Sequence, residues 1–241
     1  MIGFGTIINT VSILFGGILG HLTGKLFTKE QQESISHVCG VCVIFLGISG
    51  AMEGMLHIEN GSIGSGKSML IVLCLALGCI TGELIGIEKW LETFAVWLKN
   101  KTGNDNDSNF ITAFVTASLT VCIGAMAIVG AIQDGISNNY NILAVKSVLD
   151  FIIIAVMTSS MGKGCAFSAI PVFLFEGSLT LLANLISPMM TALAIQYLSL
   201  IGSILIFCVG LNLIRSQQLR VANMLPAVAF AVIAAYLPFG F

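Results

Sequence analysis

The chain has 241 residues, 56% of them hydrophobic and only 9% charged, with a formal net charge of −2. Its mean hydropathy is +0.99. A water-soluble domain carries charge on roughly 25–35% of its surface, so this composition excludes a soluble enzyme or binding module, and no nucleic-acid partner is expected.

The apolar residues fall into about eight segments, at 2–24, 35–55, 68–87, 110–135, 143–161, 165–186, 192–214 and 222–239. Most have the roughly 17–25 residues that a helix needs to cross a bilayer. The expected fold is an all-α polytopic membrane protein, a single membrane domain over 1–241, with the lipid bilayer as its main partner.

In chain order, the first segment carries Asn9 and Thr10, then Gly16, Gly20 and Gly24 at four-residue spacing. It lacks a positive leader and a small-residue cleavage site, so it reads as a retained helix. Cys39 and Cys42 open the second segment without a second cysteine pair, which reads as packing rather than metal or redox chemistry. Glu53 closes that segment. Gly61 to Ser68 matches the phosphate-loop pattern. A working phosphate loop joins a strand to a soluble helix and has an acidic partner for magnesium; here the stretch joins two membrane segments. No cofactor or metal site is expected.

The third segment repeats the glycine spacing at Gly78, Gly82 and Gly86, with Glu83 beside the middle one. Residues 88–99 place Trp90, Leu91, Phe94 and Leu98 on one helical face, which predicts a helix lying on the membrane surface. The polar loop 100–109 then joins two repeat-like halves, about 1–100 and 110–241. The fourth segment closes on Gln133 and Asp134. The fifth contains Lys146 and, one turn later, Asp150. Only Gly162, Lys163 and Gly164 separate it from the sixth, so a broken or re-entrant helix is expected around 162–180. The sixth carries Ser168, Pro171, Glu176, Gly177 and Ser178. Asn212, Asn223 and Pro226 form a second polar group in the last two segments.

Of the ten Lys and Arg, Lys25, Lys29, Lys89, Lys99, Lys101, Lys163, Arg215 and Arg220 fall on one side of an eight-span topology, and only Lys67 and Lys146 on the other. Basic residues resist translocation, so the eight-residue side is expected to be cytoplasmic and both termini outside.

The first and third segments share their glycine spacing. The second and fourth share small-residue endings, Gly50-Ala51-Met52-Glu53-Gly54 and Gly130-Ala131-Ile132-Gln133-Asp134-Gly135, and Lys67-Ser68 recurs as Lys146-Ser147. This is the pattern of a repeated helix hairpin. The six repeated glycines provide smooth faces for close helix packing; such faces also admit a homo-oligomer.

Four stretches, Gly5–Thr10, Gly124–Gly135, Phe167–Ser178 and Arg220–Pro226, together resemble the bacterial membrane-protein family called domain of unknown function 554. The resemblance runs through the whole chain. It implies a protein of the bacterial inner membrane and supplies no substrate.

Function is therefore read from the ionisable residues at membrane depth, which are costly unless paired or hydrated and so mark functional sites. Asp134, Asp150 and Glu176, with neutral oxygens from Asn9, Gln133 and Ser178, form the expected ion- or substrate-binding set at the interface of the repeats. The leading reading is a small transporter coupled to a cation. A cation channel, and a non-transport scaffold or sensor subunit, are the alternatives. No Ser/His or His-Glu-x-x-His arrangement is present, so no enzymatic activity is expected.

Overall fold

A computed structural model describes residues 2–59, 62–104, 107–215 and 219–237. Gly61 of the phosphate-loop match, Asp105 and Asn106 of the polar loop, and the end of the eighth segment beyond Leu237 lie outside the described residues. The chain is helical almost throughout. Helix α1 (Phe4–Gly24) leads through a short turn into α2 (Lys29–Met55), where Thr28 and Gln31 cap each other's backbone amides. That Thr-x-x-Gln box satisfies two donors that a bare helix start leaves unpaired.

A feature absent from the sequence reading follows α2. Strands β1 (Leu56–Glu59) and β2 (Ser62–Ser65) form an antiparallel hairpin. Residues 62–65 of the phosphate-loop look-alike thus form a strand, and its Lys67 donates to the Gly54 carbonyl at 2.9 Å.

Next come α3 (Ser68–Ile85) and α4 (Ile87–Lys101), separated by Gly86 in the left-handed conformation. The expected surface helix is α4: it packs on the body of the protein through Leu98 and Phe94, while Trp90 and Trp97 are exposed. Then follow α5 (Phe110–Cys122), α6 (Ala125–Ser137) and α7 (Asn141–Met161). A 3-10 turn at Lys163–Ser168 opens α8 (Ala169–Leu181), and α9 (Ala183–Ile186) extends it. The chain closes with α10 (Ala192–Arg215), α11 (Val221–Met224) and α12 (Pro226–Ala234).

Among the described residues six helices are long and apolar enough to cross a membrane, and α5 with α6 makes a seventh if the bent pair is one span. The eighth segment is shorter, a 14-residue run over Val221–Ala234 interrupted at Leu225, so eight spans is an approximate description. The outer faces are apolar: Phe15, Phe45 and Leu84 are 62, 67 and 82% exposed. In water such faces would aggregate; in a bilayer they meet acyl chains.

The sharp break in the bundle lies between α5 and α6, which meet at 62°. Gly124 makes it possible, with φ 149° and ψ 151°, a conformation open essentially to glycine alone. The pair nevertheless crosses the bundle. At one end Cys165 Sγ lies 3.5 Å from the Ala113 carbonyl, next to the C-terminus of α7. At the other, Gly130 packs on Leu143 at the N-terminus of α7. The region 162–180, where a break is expected from sequence, instead turns at Gly162 and then runs as one apolar helix from Lys163 to Leu181. Pro171 does not interrupt α8 because it falls in the first turn, where its missing N–H has no intrahelical partner to lose.

Glycine seams hold the helices together. Gly16, Gly20 and Gly24 of α1 face Phe151, Ala155 and Ser159 of α7, each at a backbone carbonyl, so the two helices run parallel in close register. Gly78 and Gly82 of α3 meet Ala227 and Asn223, antiparallel to α11 and α12. Gly86 differs from the other repeated glycines. It lies beyond the end of α3, and a Cβ there would touch nothing; it turns the chain into α4. A third seam, unread in the sequence, sets Gly40, Gly47 and Gly54 of α2 against Gly210, Phe207 and Leu200 of α10.

Candidate functional site: a buried polar seam

The polar residues of α1 project towards α6, α7 and α8 in a descending series. The Gly5 amide donates to Asp134 Oδ2 of α6 at 2.9 Å. One residue on, Thr6 Oγ1 lies 3.3 Å from Thr180 Oγ1 of α8. A turn deeper, Asn9 Nδ2 donates to Glu176 Oε1 at 2.9 Å. The spacing follows from helix geometry: residues three or four apart share a face, so Thr6 and Asn9 meet Thr180 and Glu176 as α1 and α8 run antiparallel.

The seam ends on a charged cluster. Lys146 of α7 is ion-paired to Asp150 one turn later. Its Nζ donates to the Val121 carbonyl at 2.8 Å and lies 3.5 Å from Glu176 Oε1. Of the ammonium's three donors, two go to Asp150 and the Val121 carbonyl, and Glu176 stands by as a second ion-pair partner. The break after α5 explains why the Val121 carbonyl is available: the α-helical hydrogen-bond ladder stops at Ile123, whose amide bonds Leu119. Carbonyls in the last turn of a helix have no partner within it, and a cation there is favoured by the helix dipole.

Lys146 therefore does not belong with the loop charges, where sequence position put it; it is 6% exposed inside the bundle. Asn9, Asp134 and Glu176 are completely buried and Asp150 nearly so. Asn9, Asp150 and Glu176 share the charged cluster. Asp134 sits at the outer end of the seam, at the first turn of α1, where a carboxylate satisfies an unpaired amide and complements the positive helix end. Gln133 is half-buried beside it. Ser178 is exposed, and its hydroxyl donates to the Phe175 carbonyl of its own helix at 2.8 Å. It stands half a turn round from Glu176 and so faces away from the cluster. Lys146, Thr6 and Thr180 are members of the seam that the sequence reading left out of the binding set; the four-residue spacing of Lys146 and Asp150 is the signal that pointed to the lysine.

Two buried acceptors in the cluster have no hydrogen-bond partner: Asn9 Oδ1 and Glu176 Oε2. Asp134 Oδ1 is a third at the seam's outer end.

A polar cleft of about 640 Å³ opens at the opposite end of the bundle. Lys29, Glu33 and His37 of α2, Thr112 and Thr116 of α5, and Asn212 of α10 help to line it. Between cleft and cluster lie Ile13, Val43, Ala117, Ile154 and Met157, all buried in one apolar core. A second cavity, about 470 Å³ and almost wholly apolar, occupies the space beside the α5–α6 bend, and its Cys122 is within electrostatic reach of Lys146, Glu176 and Asp150. Among the described residues no group of three or more His, Cys, Asp or Glu is arranged to hold a metal ion.

Three of the four sequence stretches that carry the family resemblance contribute Thr6, Asn9, Asp134 and Glu176 to this seam, while Lys146, Asp150 and Thr180 lie outside them. The fourth braces α3 and α4: Arg220 pairs with Glu83 at 3.2 Å, and Asn223 Oδ1 accepts from the Glu88 amide at 2.8 Å in the first turn of α4.

Comparison with known proteins agrees. The chain is 29% identical over 225 residues to the uncharacterized membrane protein YdfK of Bacillus subtilis (strain 168), covering 93% of this chain and 92% of the relative. It is 26% identical over 232 residues to the uncharacterized protein YqgA of Escherichia coli (strain K12), covering 95% and 94%. No solved structure matches. The family described as protein of unknown function DUF554 matches residues 4–236. The chain is a multi-pass membrane protein and belongs to the DUF554 family.

Proposed function

We propose that the protein is a small cation-coupled transporter whose coupling centre is the Lys146–Asp150–Glu176 cluster with Asn9. The observation that carries this reading is the charge balance of that cluster: two carboxyls against one ammonium, all buried at membrane depth. Ionised, the cluster holds one uncompensated negative charge, which is costly in this setting. A bound monovalent cation or proton removes it, so binding stabilises the buried cluster.

The surroundings support the same reading. The cluster sits beside a discontinuous helix, and transporters commonly place coupling sites where broken helices leave backbone carbonyls free. The polar seam leads to it from one end of the bundle and the polar cleft approaches from the other, with an apolar barrier across the cleft's route. The seam residues are themselves buried and paired and the apolar core closes the cleft's route, so the cluster is sealed at both ends, which favours alternating access over an open pore. The reading is non-enzymatic.

We place the protein in the bacterial inner membrane with both termini outside. With Lys146 inside the bundle, the loop charges stand at eight on the cleft side and Lys67 alone on the seam side. That asymmetry makes the cleft side cytoplasmic.

A thermal-shift panel tests the coupling centre. The purified protein is melted across a pH series and with Na⁺, K⁺, divalent cations, amino acids and polyamines, alongside Asp150→Asn and Glu176→Gln. A ligand of the folded state raises the melting temperature by mass action. We expect a shift in the wild type that is lost in both variants. A panel in which the wild type and both variants respond alike contradicts the reading.

A further inference from the structure

We infer that the coupling ion is a proton, carried on Glu176 Oε2 and shared with the side-chain oxygen of Asn9. The inference rests on the reading of the cluster as a coupling centre and specifies what that centre binds. Its basis is the pair of buried acceptors without partners. Asn9 Nδ2 already donates to Glu176 Oε1 at 2.9 Å. The two atoms left over, Asn9 Oδ1 and Glu176 Oε2, belong to the same two side chains. Neither is a donor when the carboxyl is ionised. Leaving them buried and unpaired carries their full desolvation penalty.

One proton resolves both. A protonated carboxyl and a primary amide are complementary: the amide N–H donates to one carboxyl oxygen, and the carboxyl O–H donates to the amide oxygen, closing a ring of two hydrogen bonds. Half of that ring is already in place. The proton comes from hydronium in the solvent: one O–H bond of the hydronium breaks, leaving water, and one O–H bond forms at Glu176 Oε2.

The neighbours set the stoichiometry. The titratable groups facing Glu176 are Lys146 and Asp150 on α7, Cys122 on α5 and, further out on the packed helix α6, Asp134. Helix α1 offers Asn9 and Thr6, which are neutral. Lys146 and Asp150 neutralise each other, so one proton on Glu176 brings the cluster to zero charge. When Glu176 loses that proton, Lys146 is already 3.5 Å from Oε1 and is shared between two carboxylates. Proton release would thereby loosen the Lys146–Asp150 pair and, through Val121, the free end of α5.

Difference infrared spectroscopy of the reconstituted protein between acid and alkaline pH tests the inference. We expect a protonated-carboxyl C=O band that disappears as pH rises. It should be lost in Glu176→Gln, which keeps the amide–amide version of the ring and so preserves the fold. It should shift in Asn9→Leu, which removes the ring partner, and remain unchanged when Na⁺ is exchanged for K⁺ or choline. An identical band in Glu176→Gln, or a Na⁺-induced carboxylate change at fixed pH that needs Glu176, overturns the proton assignment. The readout is independent of transport. A Glu176 band without any solute-driven flux removes the transporter reading and leaves the proton site. Flux without the band does the reverse.

Discussion

At the scale of single residues, the cluster's energetics rest on pairing. Lys146 is the cation paired with Asp150, so Lys146→Met leaves Asp150 buried without its counter-charge. Breaking a buried pair from one side costs about 3–5 kcal/mol, whereas replacing both partners by apolar groups is often close to neutral. Thermal unfolding in detergent should show Lys146→Met strongly destabilised and Lys146→Met/Asp150→Leu substantially recovered; equal losses in the single and double variants would show that the pair is not the source. Asp134 is expected to behave differently. Its bond to the Gly5 amide makes it a cap for α1, so Asp134→Ala should cost about 1 kcal/mol and leave any Glu176-dependent pH response in place. Much of this chemistry was legible in the sequence, because acidic residues inside apolar segments are conspicuous whatever the fold. What the sequence did not contain was direction. Ser178 stands two residues from Glu176 and faces away, while Thr180, one turn on, faces the seam; that distinction depends on which side of α8 meets α1. Lys146 lay close enough to a segment end to be counted as a loop charge, although its spacing to Asp150 carried the correct pairing.

At the scale of elements, two devices shape the site. The first is the glycine seam between α1 and α7. A side chain on Gly20 would run into the Ala155 carbonyl, and backbone cannot yield as a flexible side chain does. Gly20→Leu should therefore destabilise by at least the roughly 1–3 kcal/mol typical of overpacking. It should also separate Asn9 from Glu176, blunting the infrared signature. A variant with wild-type melting behaviour would show that α1 and α7 do not meet along this face. The second device is the hinge at Gly124. Its backbone conformation is strained for any side chain, at about 1–3 kcal/mol, so Gly124→Ala should lower stability by about that amount and shift the Val121 carbonyl that holds Lys146. The repeated glycines of the first and third segments were readable as packing faces because their period matches a helix. The hinge was not, since Gly124 follows a run of Thr, Val and Ile that reads as continuous helix. Pro171 and Gly177 made the following segment look broken, yet Pro171 falls in a first turn, where it is harmless. The hairpin strands at 56–59 and 62–65 escaped because Ser62, Gly64 and Ser65 resemble a loop.

At the scale of the molecule, the bundle brings a buried polar seam and an open polar cleft towards one buried cluster from opposite ends. The hydropathy pattern was enough to define a multi-pass helical protein; the order in which helices pack was not in it. Helix α1 lies against α7, α2 against α10, and α3 against α11 and α12, so each helix of the first half finds its main partner in the second. These pairings depend on which small faces are complementary in three dimensions. They also place Asn9 and Glu176, 167 positions apart, within hydrogen-bond distance. The proposed function requires this meeting point to couple cation movement to solute movement. Its most direct test is flux in proteoliposomes carrying an internal pH dye, with imposed proton or Na⁺ gradients and a panel of amino acids and polyamines, comparing wild type with Glu176→Gln. The account predicts that at least one solute evokes gradient-dependent flux in the wild type, with none in the folded variant. Equal flux in the two proteins, or passive cation leakage that no solute alters, would contradict it.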